Sequence, residues 1–311
     1  MPHGWIILDK PRGLGSTQAV AAVKRVLRQS GHRKVKVGHG GTLDPLAEGV
    51  LPIALGEATK LAGRLLDASK IYAFTVRFGA ETDTLDAEGD VVATSDHLPS
   101  PAAIPAALAL VTGAIEQMPP AYSALKVDGR RAYDRARAGE EVVLQPRAVV
   151  IHSLHVLPDG AGIADEAGGE EGLSQLTLVA NVSKGTYIRS LARDIARALG
   201  TVGHVTWLRR VKAGPFTESQ AISLDKLNEI GEGARLQDHL LPLEAGLDGI
   251  PALILDPEGA QAVRQGRVLS GMPFSDGLHL AMAGTIPVAL MEISGGTAKV
   301  VRGFNLTDSA E

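Results

Sequence analysis

At 311 residues, with 45% apolar side chains and a net charge of −4, the chain has material for one large domain and a smaller one. It contains no cysteine, which excludes disulfides, thiolate zinc sites, protein-held iron–sulfur clusters and a thiol nucleophile. No run of about 18 apolar residues occurs, so no membrane span is expected, and Met1 to Lys10 hold no apolar stretch of signal-peptide length, which reads as a cytoplasmic chain.

Trp5 to Lys10 reads as a short strand ending in the turn Pro11-Arg12-Gly13. Ser16 or Thr17 is suited to cap a helix through Val20, Val23 and Leu27, with Gly31 beyond its end. A glycine-rich loop, Gly38 to Pro45, follows. Tyr72 to Phe78 alternates like a strand. Pro101 to Val111 has helical spacing. Val142 to Leu157 reads as extended, broken at Pro146, and the acidic, glycine-rich stretch from Asp159 to Ser174 reads as a surface loop. Leu176 to Val182 is a further strand. Ser190 to Leu199 reads as a helix with Leu191, Ile195 and Leu199 on one face and Gly200 closing it. Past about residue 250 come a short helix, Pro257 to Gln265, and three β runs, His279–Ala283, Ile286–Ile293 and Ala298–Phe304. The last two are joined through Ser294-Gly295-Gly296. The expected organisation is a large domain over 1–249, which would carry any catalytic site, and a small β-rich domain over 250–311.

Charge is distributed in blocks. Residues 1–80 carry 12 Lys or Arg against 5 Asp or Glu, residues 81–121 have seven acids and no base, and residues 184–217 return to +6. Basic blocks that converge on one face would suit a polyanion partner; solvated surface is the plainer explanation.

Two stretches carry chemistry. In Gly38-His39-Gly40-Gly41-Thr42-Leu43-Asp44-Pro45, the glycines allow close backbone approach, and Pro45 biases Asp44 away from helical geometry. A carboxylate on such a turn is a plausible catalytic device, although an isolated Asp-Pro is more often a simple turn. Val182 to Leu191 stands where a strand turns into a helix, and its Arg189 could keep a carboxylate ionised. No Gly-x-x-x-x-Gly-Lys-Ser/Thr loop is present, and Gly13-Leu14-Gly15 lacks the third glycine of a dinucleotide fingerprint. His152 and His155 are spaced for opposite faces of a strand, and no metal site is expected.

Taken together, Asp9-Lys10-Pro11 with Gly13 and Ser16, Gly38 to Leu51, Lys70-Ile71-Tyr72, Thr82 to Gly89, Pro119 to Gly129, Ser183 to Arg189 and His204 to Arg210 resemble the TruB family of pseudouridine synthases, in the family's order over about residues 4–220. The tail resembles a PUA-like RNA-binding domain. Gly15, Gly40 and Glu48 stand where the family commonly has Thr, and Glu48 puts a second acid four residues from Asp44.

The resemblance implies a mixed α/β (α+β) fold with a largely antiparallel central sheet, and isomerisation of uridine 55 in the T-arm of tRNA. It implies catalytic Asp44, Tyr72 and Arg189, with His39, Asp86, Tyr187 and Leu208 binding the substrate. Arg189 would pair with Asp44, Tyr72 would stack on the uracil, Tyr187 and Leu208 would line the pocket with Asp86 oriented towards Tyr187, and His39 would fill the space that the flipped base leaves. No cofactor, metal or obligate protein partner is expected, and a monomer is. A guide-dependent, dyskerin-like synthase and a tRNA-folding chaperone stay open as alternatives.

Overall fold

The computed structural model describes residues 1–306 except 124, 128, 141, 143 and 158–171. Most of the acidic stretch read as a surface loop therefore lies outside the described residues. The elements begin with β1 (Gly4–Lys10), α1 (Ser16–Gln29), β2 (Val37–His39), β3 (Glu48–Leu55), α2 (Ala62–Asp67) and β4 (Lys70–Phe78). They continue with β5 (Ala80–Thr82), β6 (Val91–Thr94), α3 (Ile104–Leu110), β7 (Gly113–Gln117), β8 (Lys126–Val127), β9 (Arg130–Arg131), α4 (Ala132–Arg137), β10 (Arg147–Val156) and β11 (Gln175–Val182). After α5 (Ile188–Ala198), β12 (Gly203–Ala213), β13 (Phe216–Thr217) and α6 (Leu224–Gly231) come β14 (Ala252–Ile254), α7 (Pro257–Arg264), β15 (Leu269–Ser270), β16 (Gly277–Ala283), β17 (Ile286–Ser294) and β18 (Thr297–Gly303).

Among the described residues, nine strands form the main sheet, in the order β1-β3-β12-β4-β11-β10-β7 with β2 on β3 and β13 on β12. Every pairing in it is antiparallel except β3 with β12. The expected mixed fold with a largely antiparallel sheet is what forms. Its core packs the apolar faces of α1 and α5 against the sheet, through Val23, Val26, Leu27, Leu191 and Ile195 on the helices and Leu51, Phe74 and Leu178 on the strands. Such burial stabilises by about 1.5–3 kcal/mol per large side chain.

The helix start at residue 16 differs from expectation. Gly15 is the cap, and its N–H donates to Gln18 Oε1 at 2.7 Å. Ser16 turns inward instead: its hydroxyl donates to Leu43 O and accepts from Leu43 N–H, both at 2.8 Å. A residue expected to serve its own helix is thereby spent on the neighbour of Asp44.

A second sheet, β14-β16-β17-β18-β15, is built by the C-terminal segment. It does not stand apart. Leu280, Leu290 and Phe304 pack in one buried cluster with Trp5, Ile7 and Val50 of the main sheet. Lys60 Nζ also donates to Gly303 O at 2.8 Å, and Asn305 N–H to Glu57 Oε2 at 2.7 Å.

Candidate active site

Asp44 sits on the turn between β2 and β3. Four tethers fix that turn. Ser16 holds Leu43 as described; Gly13 N–H donates to Pro45 O at 2.8 Å. Lys10 Nζ reaches Pro45 O at 3.4 Å and also donates to Leu14 O and Pro11 O. Arg210, from β12, donates to Gly41 O at 3.2 Å, Thr42 O at 3.4 Å and Val50 O at 2.8 Å, so one guanidinium braces both ends of the loop. The loop returns into β3 through Gly49, whose φ is +98° and where a Cβ would meet Arg210 O at 2.3 Å. Only glycine allows β3 to approach β12 that closely.

Arg189, in the first turn of α5, faces this loop. Its Nη2 lies 2.8 Å from Asp44 Oδ2 and its Nη1 3.3 Å from Asp86 Oδ2. It also donates to Thr84 O at 2.8 Å and Tyr122 O at 3.0 Å. Asp86 is itself held, accepting from Thr84 Oγ1 at 2.6 Å and Glu88 N–H at 3.0 Å. Leu85, just before it, has φ +62°, a left-handed conformation that is costly for a branched side chain. Asp86 is therefore oriented towards Arg189, not towards Tyr187 as expected. Tyr187 caps α5, and its backbone N–H donates to Gln117 Oε1 at 2.8 Å. Burial pushes its phenol pKa up, so it stays protonated.

Asp44, Tyr72, Tyr187, Arg189 and Leu208 line one cavity of about 300 Å³. Asp44 and Arg189 also line an adjoining cavity of about 570 Å³, together with His39 and Asp86. The seven expected residues thus fall in two adjoining spaces that share the Asp44–Arg189 pair. His39 is kept towards its neutral form, by burial first and by the positive charge of Arg210 second. Its Nδ1 accepts from Gly41 N–H at 3.4 Å, which suits the neutral ring.

Sequence reasoning left out three cations. Lys10 and Lys70 are pulled down to about 8, both chiefly by burial; Arg210 adds to the effect on each, while Asp44 and Glu48 partly offset it for Lys10. Arg210 and Lys70 line the smaller cavity. All three lie in the matched sequence blocks, but nothing local in the sequence marks their carbonyl partners. Glu48, the second acid four residues from Asp44, is held elsewhere: it begins β3, accepts from Trp207 Nε1 at 3.0 Å and lies 3.6 Å from Arg209 Nη1. In β9 and α4, Arg130 and Arg135 pair with Glu140, while Arg137 lies over the Tyr133 ring at 5.1 Å and lines the larger cavity. No group of three or more His, Asp or Glu is placed to hold a metal among the described residues.

Comparison with known proteins places similar sequences along most of the chain. The family model for the N-terminal domain of TruB family pseudouridylate synthases matches residues 24–188, and that for the C-terminal domain of tRNA pseudouridylate synthase B matches residues 189–248. The tRNA pseudouridine synthase B of Novosphingobium aromaticivorans is 67% identical over 312 residues, covering 100% of both chains. That of Zymomonas mobilis is 57% identical, covering 97% of this chain and 96% of its own. Among solved structures, an archaeal box H/ACA Nop10–Cbf5 complex matches with a TM-score of 0.68 at 26% identity, over 98% of this chain and 87% of that one.

Proposed function

The chain belongs to the TruB family of pseudouridine synthases, and from that membership and the Asp44–Arg189 geometry we propose that it converts uridine 55 in the T-arm of tRNA to pseudouridine. The observation that carries the reading is the half-exposed Asp44 carboxylate held by a buried arginine at the edge of a cavity that contains Tyr72.

The reaction breaks N1–C1′, turns the uracil over and joins C5 to C1′. No atom enters or leaves overall, so no cofactor is called for. Asp44 starts it, by bonding to C1′ or by taking a sugar proton; in both routes its carboxylate oxygen is the reacting atom, and Arg189 holds that carboxylate in place from 2.8 Å. Tyr72 stacks on the uracil and takes the C5 proton. Tyr187 and Leu208 close the pocket around the ring. The target base must leave its stack, at a cost of a few kcal/mol, and His39, beside Asp44 in the adjoining cavity, fills the vacated space.

The RNA is read by shape and backbone. The C-terminal sheet acts as the PUA-like RNA-binding domain from about residue 250, and the protein works as a cytoplasmic monomer. The guide-dependent alternative is not favoured, because full-length relatives at 57% identity and above carry the tRNA-synthase name. The test is direct. The purified chain, given an unmodified tRNA transcript without guide RNA or protein partner, should place pseudouridine at uridine 55 of the T-arm and at no other uridine there. Modification that requires a guide or partner would reject the reading.

A further inference from the structure

Among the described residues, two cations beside the reacting groups have no carboxylate partner. Lys70 is 8% exposed, and its ammonium donates to the backbone oxygens of Leu66 at 2.8 Å and Ala68 at 2.6 Å. The acid near it, Asp67, pairs with Lys184 at 2.9 Å. Arg210 is 1% exposed and spends three N–H groups on the carbonyls of Gly41, Thr42 and Val50. Both line the cavity that holds Asp44 and Tyr72. Strand register puts Arg210 directly opposite Tyr72, and Lys70 lies two residues before Tyr72 in β4. The three side chains share one face of the sheet, so the Tyr72 ring is flanked by positive charge from its own strand and from the next.

Burying two like charges without an acid raises the energy of the free protein. The cost is recovered where negative charge develops inside the cavity, because preorganised charge in a water-poor site acts strongly on a transition state. We propose that Lys70 and Arg210 stabilise the uracil ring as an anion once its bond to the sugar has broken. This rests on the uridine-isomerising reading. When N1–C1′ breaks, both bonding electrons go to N1 and spread over O2 and O4. The sugar is meanwhile held at C1′ by Asp44, or left with a C1′–C2′ double bond if Asp44 took the C2′ proton. C5 then bonds to C1′, C5 loses its proton, N1 gains one, and the sugar recovers any proton it gave up. Nothing is added from outside.

The experiment compares full-length Lys70→Gln and Lys70→Arg with the parent enzyme, in single turnovers at saturating protein. The substrates are T-arm RNAs with uridine or 5-fluorouridine at the target, and loss of the starting nucleoside is followed. Fluorine makes the departing ring a better leaving group that needs less help. Lys70→Gln should slow uridine consumption on the order of a hundredfold, as for loss of one donor to developing charge, and slow 5-fluorouridine consumption by a clearly smaller factor. Lys70→Arg should restore most of the rate. Equal slowing of both substrates would mean a structural role for the carbonyl bonds and would overturn the proposal, as would no slowing. A loss confined to RNA affinity would assign the charge to phosphodiester binding and overturn it too. A parent enzyme that makes no pseudouridine would fail the underlying reading, a distinguishable result.

Discussion

Arg189 and Asp44 meet at 2.8 Å with very unequal exposure: the arginine side chain is 6% exposed and the aspartate 41%. The cation is thus fixed by protein, while the carboxylate it holds faces the open cavities. Arg189→Lys keeps the charge and loses the fork that spans Asp44, Asp86 and two carbonyls. Turnover should fall by about a hundredfold with tRNA affinity nearly unchanged. Arg189→Met leaves Asp86 buried without its cation, and urea unfolding should register a loss of about 3–5 kcal/mol. Normal turnover in Arg189→Lys would mean that the fork does not matter.

Lys10 gives a pH signature. Its side chain is fully buried, and burial pulls its pKa to about 8 from 10.5. Between those values the unfolded chain binds more protons than the folded one, so folding stability should rise with pH across that window and level off at its lower value below about 8. Lys70 contributes in the same direction. Denaturation midpoints measured across this range should climb less steeply in Lys10→Met than in the parent. Parallel curves would show that Lys10 is not shifted by the fold.

The shared cluster of Leu280, Leu290, Phe304, Trp5 and Ile7 ties the second sheet to the first. Leu290→Ala should cost about 2–5 kcal/mol, and the fluorescence of buried Trp5 should report the same unfolding transition as the C-terminal sheet. Deleting residues from about 250 should therefore lower thermal stability as well as tRNA binding. A truncated protein as stable as the full chain would mean that the cluster contributes nothing across the two sheets.

Glu48 accepts from Trp207 Nε1 and lies against Arg209, which also pairs with Asp9 and Glu218. Glu48→Thr removes an acceptor for the indole and should cost about 1 kcal/mol, with a changed Trp207 emission. Unaltered emission and stability would place the Glu48 side chain in solvent after all.

Much of this architecture can be read along the chain, and what cannot has physical causes. The strand with Tyr72 and the helix after Arg189 declare themselves by alternation and by helical spacing. The central strand β12 does not, because irregularities at Val205/Trp207 and Arg210/Lys212 break its alternation. Strand β3 is buried on both faces apart from its first residue and carries Pro52, so Glu48 to Leu55 reads as an apolar run of no clear type. In the site, Asp44 stands out through its glycine-flanked turn. The Arg189–Asp86 pair, the Ser16–Leu43 bonds and the Arg210 brace join residues far apart in sequence, and no local pattern encodes them. The motif blocks name the segments that meet without saying which atoms touch.

Asp44→Asn tests the central claim most directly. The replacement is nearly isosteric and leaves the loop's tethers, which run through backbone atoms around residue 44, in place. With the variant in excess over an unmodified tRNA transcript, the account predicts no pseudouridine at the T-loop uridine, while circular dichroism and tRNA affinity match the parent. Pseudouridine formed there at the parental rate would contradict it.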